Sequence, residues 1–169
     1  MTEDKLKPCL DKDEAQDIRK TLLFVCTGNT CRSPMAAALY NHLYSDSAYY
    51  AESAGLAAYG QPISENAAAA LMERGVLPTP ENNYLTHMSR PLTDKLIENA
   101  DLVIGLTGSH ALNIMMRFPA YASKITAMPR DISDPYGGDL ADYRKWLADI
   151  EAALIAVFGE VRKDSESDE

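Results

Sequence analysis

Strand-like and helix-like segments alternate along most of this chain, and that alternation narrows the fold more than any other feature. Residues 21–26 (TLLFVC) and 101–106 (DLVIGL) are short, largely apolar runs rich in β-formers. Runs of this length without a polar residue at every second place suit strands buried on both faces. Residues 48–53 and 124–127 read as two further strands. A helix is expected at 33–44, where Ser33 suits the N-cap and Pro34 the first helical position. Another is expected at 64–74, with Ser64 as N-cap and Gly75 just past its end. Shorter ones follow at 93–99 and 109–117. The last, at 139–158, places apolar residues at 140, 143, 146, 147, 150, 154, 157 and 158, a 3.6 period that turns one face toward a sheet. Strands alternating with helices predict an α/β fold, a parallel sheet covered by helices on both faces. Ligands of such sheets bind beyond the carboxyl ends of the strands, near the point where strand order reverses.

With 169 residues the chain suits one domain with a substantial core. Hydrophobic residues at 46% and charged residues at 24% exclude wholesale disorder and fibrous architectures. No apolar run nears the roughly 20 residues that span a bilayer. The one near the start, 22–26, is shorter than a signal-peptide core of about 7–15 residues. A soluble, cytoplasmic protein without membrane contact is expected. Residues 1–20 read as an N-terminal arm, 21–162 as the domain and 163–169 (KDSESDE) as a disordered acidic tail. The net charge is −9, of which the tail carries −3 and the arm −1. An acidic domain lacks the clustered Lys and Arg that phosphate backbones demand, so no nucleic-acid partner is expected. Cysteines stand at 9, 26 and 31 only, and His42, His87 and His110 are scattered. Neither a disulfide framework nor a metal site is expected, and nothing calls for a cofactor. A monomer is expected.

The most informative stretch joins the first strand to the first helix: Cys26-Thr-Gly-Asn-Thr-Cys-Arg32-Ser33. Gly28 and Asn29 tolerate the positive φ that turns successive backbone N–H groups inward. Inward amides make an anion nest, and the helix N-terminus adds positive potential. Arg32 can add a bidentate fork to an oxyanion. The same field favours a thiolate at Cys26. A thiolate beside a phosphate cradle is equipped to attack phosphorus. In isolation, a buried core cysteine and a surface arginine would explain the same two residues. Their placement between an apolar strand and a Ser-Pro helix start argues for function. No Gly-Lys-[Ser/Thr] follows, which excludes an ATP-type P-loop. A second feature, Asp131-Ile-Ser-Asp134-Pro135-Tyr136-Gly-Gly, precedes the last helix. Asp-Pro is common turn chemistry, but a phosphatase also needs an acid for its leaving group, and Pro135 would stiffen the loop that presents it.

Several motifs in order resemble the low-molecular-weight protein phosphatases. These are CTGNTCRSPMA, the Glu-Ser53-Ala-Gly turn, His87-Met-Ser-Arg90, ADLVIGL and DPYGG, spread over about residues 21–158. The resemblance implies a three-layer sandwich with a four-stranded parallel sheet of flavodoxin-like order 2-1-3-4. It also implies a metal-free, two-step hydrolysis. Cys26 would form a phosphocysteine, and Arg32 with the loop residues Thr27, Gly28, Asn29, Thr30, Cys31 and Ser33 would hold the phosphoryl oxygens. Asp134 would protonate the leaving atom and then activate water. Asn29 would hold the loop shape through hydrogen bonds with Ser33, Ser53 and His87. Tyr136 would wall the substrate cleft, and Cys31 would form a reversible disulfide with Cys26 under oxidation. For Ser53 and His87, a polar turn residue and a surface histidine are equally good readings of the residues alone.

Thr30 bears on the substrate. Tyrosine-specific members usually carry a larger aliphatic residue there, and CTGNTCRSPMA with DP-aromatic-GG looks like the bacterial protein-arginine phosphatase branch. Phosphoarginine on a protein is favoured, with phosphotyrosine as the alternative that Tyr136 supports. Related thiol-coupled arsenate reductases need cysteines downstream, and this chain has none after Cys31. A phosphocarrier would not need Arg32 with Asp134, and a non-catalytic oxyanion-binding module would need neither a reactive Cys26 nor an acid.

Overall fold

The computed structural model of the protein describes residues 19–133 and 137–161. Most of the expected arm and the tail from residue 162 lie outside the described residues, as do Asp134, Pro135 and Tyr136. Four strands, β1 (Lys20–Cys26), β2 (Tyr49–Gly55), β3 (Leu102–Gly105) and β4 (Ile125–Ala127), form one sheet in the order β2-β1-β3-β4. Every pairing is parallel. The helices are α1 (Arg32–Leu43), α2 (Glu65–Arg74), α3 (Asp94–Asn99), α4 (Gly108–Arg117) and α5 (Leu140–Phe158). Short 3-10 turns at Tyr84–Thr86 and Pro119–Lys124, which no periodicity announces, join them. Among the described residues no helix is long and apolar enough to cross a membrane.

Side chains of a strand point alternately to the two faces of the sheet, and β1 shows how both are filled. Leu22, Phe24 and Cys26 face a large core that takes in Met35 and Leu39 of α1, Leu71 of α2 and Leu147, Ile150 and Leu154 of α5. Leu23 and Val25 face a smaller core with Ile97 of α3 and Ala111 and Ile114 of α4. Leu22, Leu23, Phe24 and Val25 of β1 are all fully buried, which explains an apolar run without alternation. The result is a three-layer α/β sandwich, with β1 central and its carboxyl end at the point where chain order reverses.

Most helix signals act as the residues suggest. Ser64 accepts from the Ala67 amide at the start of α2, and Gly75 closes it in the left-handed region at φ 94°. Thr93 and Thr107 cap α3 and α4, and Asp139 with Asp142 makes a capping box on α5. Other expectations need correction. Lys20, assigned to the arm, is the first residue of β1, and β2 runs on to Gly55 rather than stopping at 53. The first helix starts at Arg32 with Cys31 as its N-cap residue, and no side chain caps it. Ser33 is not the cap because its hydroxyl is used elsewhere, as described below. Pro34 still falls in the first turn, where its missing N–H breaks no helical bond. On α5, Val157 is exposed while Ala153 takes the buried place.

Candidate active site

The loop from Cys26 to Arg32 crosses the carboxyl end of the sheet. Register brings Cys26 beside Gly55 at the end of β2. A Cβ on Gly55 would lie 2.6 Å from the Thr27 carbonyl oxygen and 2.9 Å from Asn29 Cβ. Only glycine lets the loop sit this close. Three further backbone bonds fix the loop from outside. Leu56 N donates to Cys26 O, Ala57 N to Thr27 O and Ser64 N to Thr30 O, each at 2.9 Å.

Cys26 is 2% exposed. Its Sγ lies 3.0 Å from Ser33 Oγ and receives the Asn29 amide at 3.3 Å. The Asn29 amide donates to sulfur, and the Ser33 hydroxyl is placed so that either it or the thiol can be the donor; a thiolate would take both bonds as acceptor. Asn29 stands in the left-handed region at φ 57°, which turns the amides around it. Its side-chain Nδ2 donates to Ser33 Oγ at 2.7 Å and to Ser53 Oγ at 2.9 Å. Its Oδ1 accepts from the Arg90 amide at 3.0 Å, and its carbonyl accepts from His87 Nε2 at 2.7 Å. Burial pushes the His87 imidazole below its ordinary pKa; the nearby Arg90 charge acts in the same direction, and the Asn29 carbonyl opposes it. Among the described residues, the amides of Gly28, Thr30 and Cys31 donate to no protein acceptor. Successive half-buried amides in such a turn form a concavity suited to an anion.

Arg32 is buried at the first position of α1, and its Nη1 donates to Ile132 O at 3.2 Å. Ile132 N in turn donates to Leu106 O at 3.0 Å. The root of the segment that carries Asp134 is therefore tied to Arg32 and to Leu106, the residue after β3. On the other flank, Cys31 Sγ lies 3.3 Å from Tyr143 Oη, which also accepts from Ser64 Oγ at 3.3 Å. Cys26 and Cys31 are both free thiols. Among the described residues no cluster of His, Cys, Asp or Glu could hold a metal ion.

The structure thus brings together Cys26, Asn29, Arg32, Ser33, Ser53 and His87. Asp134 and Tyr136 lie outside the described residues. Two contributors had no signal in the pattern. Tyr143 looks like any core aromatic of a helix, and His110, which reaches Thr27 Oγ1 at 3.0 Å, stands alone in an amphipathic stretch. Arg90 ends the His87-Met-Ser-Arg90 motif, but the motif gives it no role of its own, because it meets Asn29 through its backbone amide.

A family model, low molecular weight phosphotyrosine protein phosphatase, matches residues 21–167. The chain belongs to that family. Among relatives of this low molecular weight phosphatase is the protein-arginine-phosphatase of Bacillus subtilis, 32% identical over 153 residues that cover 85% of this chain and 97% of the relative. Another is a probable low molecular weight protein-tyrosine-phosphatase, EpsP, of Ralstonia nicotianae, 31% identical and covering 85% and 97%. A solved structure of the arginine phosphatase YwlE, with its active-site cysteine replaced by a phosphorylated serine, superposes with a TM-score of 0.74 at 32% identity, covering 86% of this chain and 97% of that one.

Proposed function

We propose that the protein is a cysteine-dependent protein phosphatase that hydrolyses phosphoarginine. The observation that carries the phosphatase reading is the buried Cys26 thiol at the base of a loop whose Gly28, Thr30 and Cys31 amides have no acceptor among the described residues. In the first step Cys26 Sγ attacks phosphorus and the bond from phosphorus to the guanidine nitrogen breaks. The electron pair leaves with that nitrogen, which takes a proton from Asp134. In the second step water attacks the phosphocysteine, Asp134 accepts its proton, and the S–P bond breaks to return the thiolate and free phosphate. The Arg32 guanidinium and the amides of Gly28, Thr30 and Cys31 hold the phosphoryl oxygens through both steps. Ser33 and Asn29 hold the sulfur, Ser53 and His87 hold Asn29, and Tyr136 walls the cleft. The phosphorylated serine in the arginine phosphatase relative supports a phosphorylated nucleophile. Under oxidation, Cys26 and Cys31 would pair and protect the nucleophile.

Two things support arginine. One is the protein-arginine-phosphatase relative that aligns with most of the chain. The other is Thr30, half-buried in the loop, which offers a hydroxyl where a larger aliphatic residue would close the space. Phosphotyrosine is the second reading, supported by Tyr136 and the probable tyrosine phosphatase relative. Phosphate release by the reduced protein from matched peptides bearing phosphoarginine or phosphotyrosine separates them, with Cys26→Ser as the blank. Preference for phosphoarginine is expected. Preference for phosphotyrosine keeps the mechanism and overturns the substrate, and release from neither overturns both.

A further inference from the structure

Helix α4 begins where the oxyanion loop and the segment after β4 meet. Its N-cap residue Thr107 accepts from the His110 amide at 3.1 Å. The amide of Gly108 donates to Asp131 Oδ1 at 2.8 Å. Against β3 the turn sits so close that a Cβ on Gly105 would lie 2.6 Å from Ala111 N and 3.0 Å from Thr107 O. This turn is therefore fixed from two sides, by β3 and by Asp131.

His110 projects from it and is 6% exposed. Its Nδ1 lies 3.0 Å from Thr107 Oγ1, and its Nε2 lies 3.0 Å from Thr27 Oγ1. A hydroxyl both donates and accepts, so the two bonds close with the proton on either ring nitrogen. Thr27 is the residue after Cys26. Its carbonyl is already taken by the Ala57 amide at 2.9 Å. With its hydroxyl held as well, Thr27 is gripped at both ends, and the chain enters the Gly28–Asn29 turn from one direction. Gly28 has no side chain of its own to hold it there.

We propose that His110 is a positioning residue for the oxyanion loop. Through the Thr27 hydroxyl it sets the peptide planes that follow the nucleophile, and so governs how tightly the loop holds a phosphoryl group. This deepens the phosphatase reading and rests on it. The role concerns the oxyanion and not the leaving group, which gives it a distinct signature.

The test compares Thr27→Val, Thr27→Ser, His110→Phe and the Thr27→Val/His110→Phe double variant. Inhibition by inorganic phosphate is measured, with kcat/KM for p-nitrophenyl phosphate and for phenyl phosphate, whose leaving group is poorer. Thr27→Val and His110→Phe are each expected to weaken phosphate inhibition roughly five- to tenfold, as loss of one partly buried hydrogen bond does. Both esters should slow by a similar factor. The double variant should be no worse than the worse single one, because the two residues share one bond. Thr27→Ser, which restores the hydroxyl, should bind phosphate more tightly than Thr27→Val. Additive losses, equal impairment of Thr27→Ser and Thr27→Val, or a loss confined to phenyl phosphate would overturn the proposal. Should His110→Phe fail to fold, the Thr27 pair decides alone, since Thr27 is exposed. A wild-type protein that neither binds phosphate nor cleaves either ester would instead remove the phosphatase reading, and the proposal with it.

Discussion

Asn29 uses every polar atom it has. Its amide meets Cys26 Sγ, its side chain meets Ser33, Ser53 and the Arg90 amide, and its carbonyl meets His87. Those bonds hold a non-glycine residue at φ 57°, where asparagine is tolerated better than most. Asn29→Ala removes the donors to both serines and leaves the Arg90 amide unpaired. Unfolding in urea should show a loss of about 2 kcal/mol, and phosphate should bind at least roughly tenfold more weakly as the loop relaxes. His87 adds a pH signature. Its folded-state pKa is lowered by burial from an ordinary 6.5, so below that pH the unfolded chain binds the extra proton more readily. Stability attributable to His87 is therefore intact above pH 6.5 and is lost as pH falls from there toward the lowered folded value. His87→Gln retains a donor for the Asn29 carbonyl without titrating. Urea midpoints at pH 7.5 and 5.5 should fall further in the wild-type protein than in His87→Gln, and parallel losses in the two proteins would contradict the burial argument.

At the scale of elements, the site depends on how near β2 comes to the loop above it. Gly55→Ala would press a methyl against the Thr27 carbonyl and Asn29 Cβ, and backbone cannot swing aside as a side chain can. A loss of about 1–3 kcal/mol is expected from overpacking, together with loss of phosphate binding. Gly75→Ala is the control. It meets nothing within 4 Å but sits at φ 94°, so it should lose about 1 kcal/mol with phosphate affinity unchanged. Thermal melts and phosphate inhibition on the two variants check the contrast. The same closeness separates what was legible in the sequence from what was not. Apolar runs, the Ser64 cap and Gly75 report on their own elements, and the strand and helix order follows from them. Ser33 reads as a cap by local rules, yet its hydroxyl lies between Cys26 Sγ and Asn29 Nδ2. Local propensity cannot see a partner brought from another element. Gly55 likewise looks like a turn until the loop above it is known, and His110 carries no mark of its bond to Thr27, 83 residues away.

For the molecule as a whole, two helical layers seal both faces of a parallel sheet, so the strand ends are where chemistry can reach solvent. The loop proposed to bind an anion there belongs to a chain with a net charge of −9. The two substrates differ under that field. Phosphotyrosine carries about two negative charges near pH 7, whereas phosphoarginine offsets part of its phosphoryl charge with its own guanidinium. An acidic surface therefore disfavours approach of the tyrosine ester more than approach of the arginine derivative. Salt screens this difference, with a Debye length of about 10 Å at 0.1 M and about 30 Å at 0.01 M. The ratio of kcat/KM for phosphoarginine over phosphotyrosine peptides should fall roughly two- to threefold as salt rises from about 0.01 M to about 0.1 M, as expected for one unit of charge in a potential near kT. Chloride competing in the oxyanion loop slows both substrates alike and cancels in the ratio. A ratio that holds constant across the range would place discrimination in the pocket alone, at Thr30 and its neighbours, and would leave the acidic surface without a part in substrate choice.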